Sequence, residues 1–227
     1  MKLKLIKGAS LLLFGILMQF ALPCISKTKA AKTSEANNAQ ISSDDSTAEF
    51  NFETGTQGWK SENWKDFRGS YGVEQTTEYS KSGRCALVLN CDSTENSKRE
   101  AFVDLRTEFN GPLNLEGKTI RCWILIPSSD VIGDPHNGVQ LFVKSIENEG
   151  TSDERWSTEY GEWYDLSGRA GSWFEITLSP GTETPKQGHS KQGFDPKKIA
   201  VLGIRITTRK GSSASFKGSV YIDDIDW

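Results

Sequence analysis

Seven short runs of alternating or continuous apolar residues, each stopped by Gly, Ser, Asn or Pro, restrict this chain to an all-β fold. They are RCALVLNC (Arg84–Cys91), REAFVDLR (Arg99–Arg106), TIRCWILIP (Thr119–Pro127), GVQLFVKSI (Gly138–Ile146), GSWFEITLSP (Gly171–Pro180), IAVLGIRITT (Ile199–Thr208) and GSVYIDDIDW (Gly218–Trp227). No segment keeps a helical period over three turns, and strands at this spacing with turn residues between them predict two packed antiparallel sheets, a β-sandwich of the jelly-roll kind. The one helix-like piece is FDPKKIA, where Asp195 and Pro196 can start a single turn.

Alternation sorts the side chains of three runs. Successive strand residues point to opposite faces, so Ile120, Cys122, Ile124 and Ile126 line the core and turn Arg121 and Trp123 outward. The same rule buries Val139, Leu141 and Val143 and exposes Gln140, Phe142 and Lys144; it buries Leu202, Ile204 and Ile206 and exposes Arg205. Which of these strands are neighbours does not follow from alternation.

The folded region opens on FNFETGTQGW (Phe50–Trp59) and closes on GSVYIDDIDW, two strand patterns that each carry a carboxylate beside a turn. Lying side by side, such ends would suit a shared Ca²⁺, which takes carboxylate and carbonyl oxygens from separate segments. Ahead of them, Lys2, Lys4 and Lys7 precede an apolar stretch from Gly8 to Pro23, the pattern of a secretory signal peptide over residues 1–26. The stretch is short for a membrane span of roughly 20 residues, so cleavage after Ser26 or Ala30 is expected over a permanent anchor. Lipoprotein processing at Cys24 is a weaker alternative, because Pro23 directly before it fits that signal poorly. Residues 27–48 are polar and small and read as a flexible linker. Residues 49–227 are one domain's worth of chain, enough to bury about 70% of its unfolded surface.

A net charge of −3 with interspersed signs argues against nucleic acid or anionic membrane as partner. Of four cysteines, Cys24 leaves with the signal; Cys85 and Cys91 share the parity of Leu87 and Leu89 and read as buried small hydrophobes. One bridge from Cys122 to either remains open in an exported protein.

In order along the chain, FNFETGTQGW, YSKSGRCALVL, LEGKTIRCWILIPSS, GSWFEITLSP, FDPKKIAVLGIRI and GSVYIDDIDW resemble the carbohydrate-binding modules of the galactose-binding-like jelly-roll superfamily, above all modules found beside β-mannanases and glucanases. The resemblance spans residues 49–227. It implies a secreted or cell-surface, non-catalytic binder of polysaccharide, of the β-mannan or β-glucan class, with a separate glycoside hydrolase as a partner. It also implies a structural Ca²⁺ on Glu53, the carbonyls around Lys81 and Ser82, and Asp223, with Glu78 and Asp224 as further ligands.

Sugar rings stack on flat aromatic faces while amides, carboxylates and guanidinium groups bind their hydroxyls. Of seven tryptophans, Trp59 and Trp173 read as core residues and Trp227 as packing at the strand end. ERWSTEYGEWYDL (Glu154–Leu166) is too polar for a buried strand and reads as a loop carrying Trp156, Tyr160, Trp163 and Tyr164; SENWKDFRGSYG places Trp64, Phe67 and Tyr71 in an early loop. The expected ligand contacts are Trp64, Trp123, Trp156, Tyr160 and Trp163, with Arg121, Gln140 and Arg205 as polar partners. Two other functions compete: a cell-surface domain that contacts protein, and a glycan-active enzyme. The enzyme reading lacks the paired strand carboxylates of β-sandwich glycosidases; His136 and His189 lie in Gly/Pro-rich loops, and Glu159 and Glu162 are the acids to test.

Overall fold

A computed structural model describes residues 48–63, 70–92, 101–128, 137–166, 168–182, 193–208 and 216–227, all within the compact unit that spans Glu35–Trp227. The segment assigned above to the signal peptide and all of the linker but Ala48, together with Trp64, Phe67, His136 and His189, lie outside these residues.

The described residues hold eleven strands and no helix: β1 (Lys60–Asn63), β2 (Ser70–Thr76), β3 (Ala86–Asp92), β4 (Ala101–Leu113), β5 (Ile120–Leu125), β6 (Gly138–Glu147), β7 (Arg155–Tyr160), β8 (Tyr164–Asp165), β9 (Phe174–Leu178), β10 (Ile199–Thr208) and β11 (Lys217–Asp226). They form two antiparallel sheets. The six-stranded sheet runs β1-β4-β10-β6-β7, with β8 also on β6; the five-stranded sheet runs β2-β3-β11-β5-β9. Packed face to face they make the expected β-sandwich. FDPKKIA contributes one turn, in which Lys198 N donates to Asp195 O and Lys197 N to Asp195 Oδ1.

The core lies where alternation puts it. Leu87 and Leu89 of β3, Ile120, Cys122 and Ile124 of β5, and Val220 and Ile222 of β11 meet Val103 and Leu105 of β4, Val139, Leu141 and Val143 of β6, and Leu202, Ile204 and Ile206 of β10. Each such fully buried aliphatic side chain stabilises the fold by about 1.5–3 kcal/mol relative to exposure. Trp59 joins this core, and Trp227 packs on Phe50 and Phe109 at its margin. Trp173 departs from expectation: it packs on Val88, Leu125 and Tyr221, a small cluster on the outer side of the five-stranded sheet. Cys85, Cys91 and Cys122 are buried, and no disulfide joins them. Burial, with Asp92 adding to it, pushes the Cys91 thiol up to about 12, and burial raises Cys122 as well, so both behave as small apolar fillers.

The two ends of the folded region do lie side by side. Phe50 and Ile225 form an antiparallel bridge in which Phe50 N donates to Ile225 O (3.1 Å) and Ile225 N to Phe50 O (3.0 Å).

Two segments expected to be loops are strands. Residues 155–160 form β7 on the edge of the six-stranded sheet, and residues 60–63 and 70–76 form β1 and β2. The polarity of β7 misleads because its inward positions are Ser157 and Glu159 rather than aliphatics. Glu159 is buried with both carboxylate oxygens on Gly181 N (3.2 and 2.9 Å), so hydrogen bonding replaces apolar contact there.

Candidate functional site

Register decides which of the expected contacts share a surface. In the six-stranded sheet Asp104 pairs with Arg205 and Arg205 with Gln140; one step along, Gly203 pairs with Phe142 and Phe142 with Tyr160. Paired residues share a face, so Gln140, Phe142, Tyr160 and Arg205 all point outward, away from the core. Trp156 has the parity of Tyr160 on β7 and joins them opposite Ile146. Trp163, between β7 and β8, lies over Gly138: a Cβ there would fall 2.2 Å from the indole, so only glycine admits the ring.

Gln140, Tyr160 and Arg205 therefore share one outward face with Trp156 and Trp163. Trp123 and Arg121 do not join them. They sit on the outer face of the five-stranded sheet, on the other side of the sandwich, where the Lys81 ammonium lies 4.1 Å from the Trp123 ring centroid and Arg121 Nε stands 3.8 Å from Glu175. The sequence reading had merged two faces into one ligand set.

Outward direction does not mean exposure at the centre of the six-stranded sheet. Gln140, Phe142, Tyr160 and Arg205, expected or offered as exposed, are buried. The reason is local. Phe142 folds across Gly203, whose missing side chain leaves it room, and tilts against Tyr160 at 5.8 Å between centroids. Arg205 is enclosed by Phe102 (4.1 Å), Tyr160 (4.8 Å) and Phe142 (5.8 Å), and it binds Asp104 in a bidentate pair at 2.7 and 2.8 Å. Burial works against the guanidinium charge, but the hydrogen bonds and charge of Asp104 outweigh it and hold the Arg205 pKa above its ordinary value. Burial also pushes the Tyr160 hydroxyl up to about 12. These groups form a stiff floor.

What the face offers to solvent stands at its two ends. Trp156 is 45% exposed, and its indole Nε1 donates to Glu154 Oε1 at 3.0 Å. Trp163 is half-buried, and its Nε1 donates to Asp165 Oδ1 at 3.0 Å. Each ring is thus oriented by an acid two residues away, a spacing visible in the sequence as Glu154-Arg155-Trp156 and Trp163-Tyr164-Asp165. From Gly138, under Trp163, to Ile146, opposite Trp156, is eight strand residues, or about 26 Å. Along the other margin run Lys60, Glu108, Arg106 and Glu62, linked by ion pairs of 3.0, 3.2 and 2.9 Å. Sequence reasoning missed this charged chain, because Lys60 and Glu62 meet Arg106 and Glu108 only through the pairing of β1 with β4.

The proposed calcium ligands also converge, on the turn before β3. Glu53 Oε1 accepts from Arg84 N (2.6 Å) and Cys85 N (2.8 Å). Asp223 Oδ2 accepts from Lys81 N (2.8 Å) and Ser82 N (3.3 Å), its Oδ1 accepts from Asp224 N, and Ser82 Oγ donates to Asp224 Oδ1. Lys81 and Ser82 therefore present their N–H groups to Asp223. Among the described residues no group of three or more His, Cys, Asp or Glu is placed to hold a metal ion. Asp223 is nonetheless fully buried with neutral partners, and burial outweighs its hydrogen bonds and pushes its pKa up to about 7.

No family model and no curated protein matches this chain. Among solved structures, one from work on the promiscuous specificity of carbohydrate-binding modules of the β-sandwich superfamily is 25% identical with a TM-score of 0.54; the match covers 80% of this chain and 61% of that one. Several of the solved structures that this chain resembles are carbohydrate-binding modules. Two others are from Clostridium thermocellum: the family 11 module of the cellulosomal cellulase Lic26A-Cel5E (11% identity, TM-score 0.47, 78% of this chain and 91% of that one) and the C-terminal family 22 module of Xyn10B (11%, 0.43, 78% and 87%). At that identity their likeness is one of fold.

Proposed function

We propose that this protein is an exported, non-catalytic polysaccharide-binding module that takes an extended glycan chain across the outward face of its six-stranded sheet. The observation that carries this reading is the pair of oriented indoles, Trp163 and Trp156, set about 26 Å apart along β6. A separation of that order suits several consecutive sugars rather than one. Ring faces stack on the two tryptophans, while the charged margin of Lys60, Glu62, Arg106 and Glu108 supplies donors and acceptors for hydroxyls. Gln140, Tyr160 and Arg205 serve as the floor that fixes the shape of the face. The β-mannan or β-glucan class and cooperation with a separate glycoside hydrolase follow from the resemblance of the sequence, while secretion through residues 1–26, to the cell surface or beyond, follows from the Lys2, Lys4 and Lys7 start and the apolar stretch from Gly8 to Pro23. Absence of catalysis is supported by Glu159, whose carboxylate is buried and committed to Gly181 N. A structural Ca²⁺ at Glu53, Ser82 and Asp223 belongs to the same proposal: it would neutralise the buried Asp223 carboxylate and tie the turn before β3 to β11.

Affinity electrophoresis in gels containing soluble mannan, β-glucan or xylan tests the binding. Retardation is expected in mannan or β-glucan, and Trp156→Ala is expected to weaken it about tenfold, the loss of about 1.4 kcal/mol of stacking. Unretarded migration in all three gels would sink the carbohydrate reading.

A further inference from the structure

The opposite side of the sandwich carries a pocket that the proposed site does not use. It is a shallow, open depression of about 280 Å³ on the outer face of the five-stranded sheet, lined among others by Gly72, Asn90, Asp92, Lys217 and Ser219. Register explains its form. Gly72, Asn90 and Ser219 make one outward row across β2, β3 and β11, and Asp92 and Lys217 belong to the next outward row. Between them the Tyr71, Cys91 and Gly218 row turns its side chains the other way and leaves backbone as the floor. Gly72 leaves one wall open, since a Cβ there would meet nothing within 4 Å.

Its polar groups are already ordered. Ser219 Oγ donates to Asn90 Oδ1 (2.7 Å), and Asn90 Nδ2 donates to Glu74 Oε1 (3.1 Å), a ladder across three strands. Lys217 Nζ pairs with Asp92 at 3.1 Å, so the two charges at the rim cancel each other. Two residues further along β11, about 7 Å away, Tyr221 lies beneath Tyr79 at 4.8 Å between centroids, and Tyr79 is 40% exposed. A pocket with a hydroxyl and an amide, its Glu74 carboxylate held by Asn90 and its rim charges paired, lies beside an exposed aromatic ring and matches the chemistry of a sugar residue, whose hydroxyls bond amides and carboxylates alike.

We infer that this pocket is a second carbohydrate site, which seats one neutral sugar residue against Asn90 and Ser219 and lets the next ring rest on Tyr79. The inference rests on the polysaccharide reading above. With a site on each outer face, one molecule binds two glycan chains at once.

The test is an amide-proton NMR titration of the full chain with mannohexaose and with cellohexaose, repeated on Gly72→Leu. Leucine at Gly72 grows into open space and fills the pocket without backbone strain. Wild type is expected to shift the Asn90 side-chain amide and the backbone amides of Ser219 and Gly218. In Gly72→Leu those shifts should fall at least fivefold, while the Trp156 and Trp163 indole signals titrate as in wild type. The inference is overturned, and the first site left standing, if only the indoles respond in wild type, or if the pocket shifts survive Gly72→Leu unchanged. Silence at both faces would overturn this inference and the polysaccharide reading together.

Discussion

Arg205 and Asp104 stand where the alternation of β10 and β4 sends them, yet both are buried. Taking two charges out of water costs several kcal/mol each, and only a bidentate contact with full hydrogen bonding offsets it. The 2.7 and 2.8 Å bonds, and the aromatic rings around the guanidinium, supply that compensation. Removing one partner strands the other, so Asp104→Ala should destabilise the fold by about 3–5 kcal/mol in chemical denaturation. The double replacement Arg205→Met with Asp104→Leu should cost less than either single change. A single-variant loss below about 1 kcal/mol would contradict the geometry. The sequence could place Arg205 on the outward side of its strand but could not reveal this pair, because Asp104 lies 101 residues away and reaches it only through strand order.

At the level of elements, the turn of residues 80–85 is held from both ends of the folded region, by Glu53 ahead of it and by Asp223 and Asp224 of β11. Gly83 adopts a left-handed φ of 56°, and a Cβ there would stand 2.3 Å from Glu53 Oε1, so the carboxylate can approach only because the side chain is missing. If calcium completes this junction, EDTA should lower the melting temperature and added Ca²⁺ restore it, because a ligand of the native state alone raises stability. Asp223→Asn should abolish the response; a wild-type melting temperature indifferent to EDTA would remove calcium from the account. Most elements are legible in the sequence: β3, β5, β6, β9, β10 and β11 coincide with apolar runs, and in β5, β6 and β10 the inward residues are the ones alternation names. β7 was hidden because Glu159 and Ser157 occupy positions where aliphatics were sought. The ligand set was half legible for a related reason. Periodicity shows which way Trp123 and Arg205 point relative to their own strands, while the pairing that puts those strands in different sheets does not follow from alternation.

For the molecule as a whole, the Phe50–Ile225 bridge closes the strand path into a ring with two hydrogen bonds. The order in which the strands are joined is then separable from the way they pack. A short peptide joining Trp227 to Glu49, with new ends opened in the turn at residues 148–151, would leave every sheet pairing intact. That turn is held locally, by Thr151 N and Thr151 Oγ1 on Asn148 O. Such a circular permutant should fold to the same β-rich circular dichroism spectrum and keep the wild-type mobility shift in glycan-containing gels. Loss of folding in the permutant would mean that the bridge needs its present chain connectivity. Success would make Phe50–Ile225 a seam at which this sandwich can be spliced into a loop of another protein, presenting both outer faces from a single point of attachment.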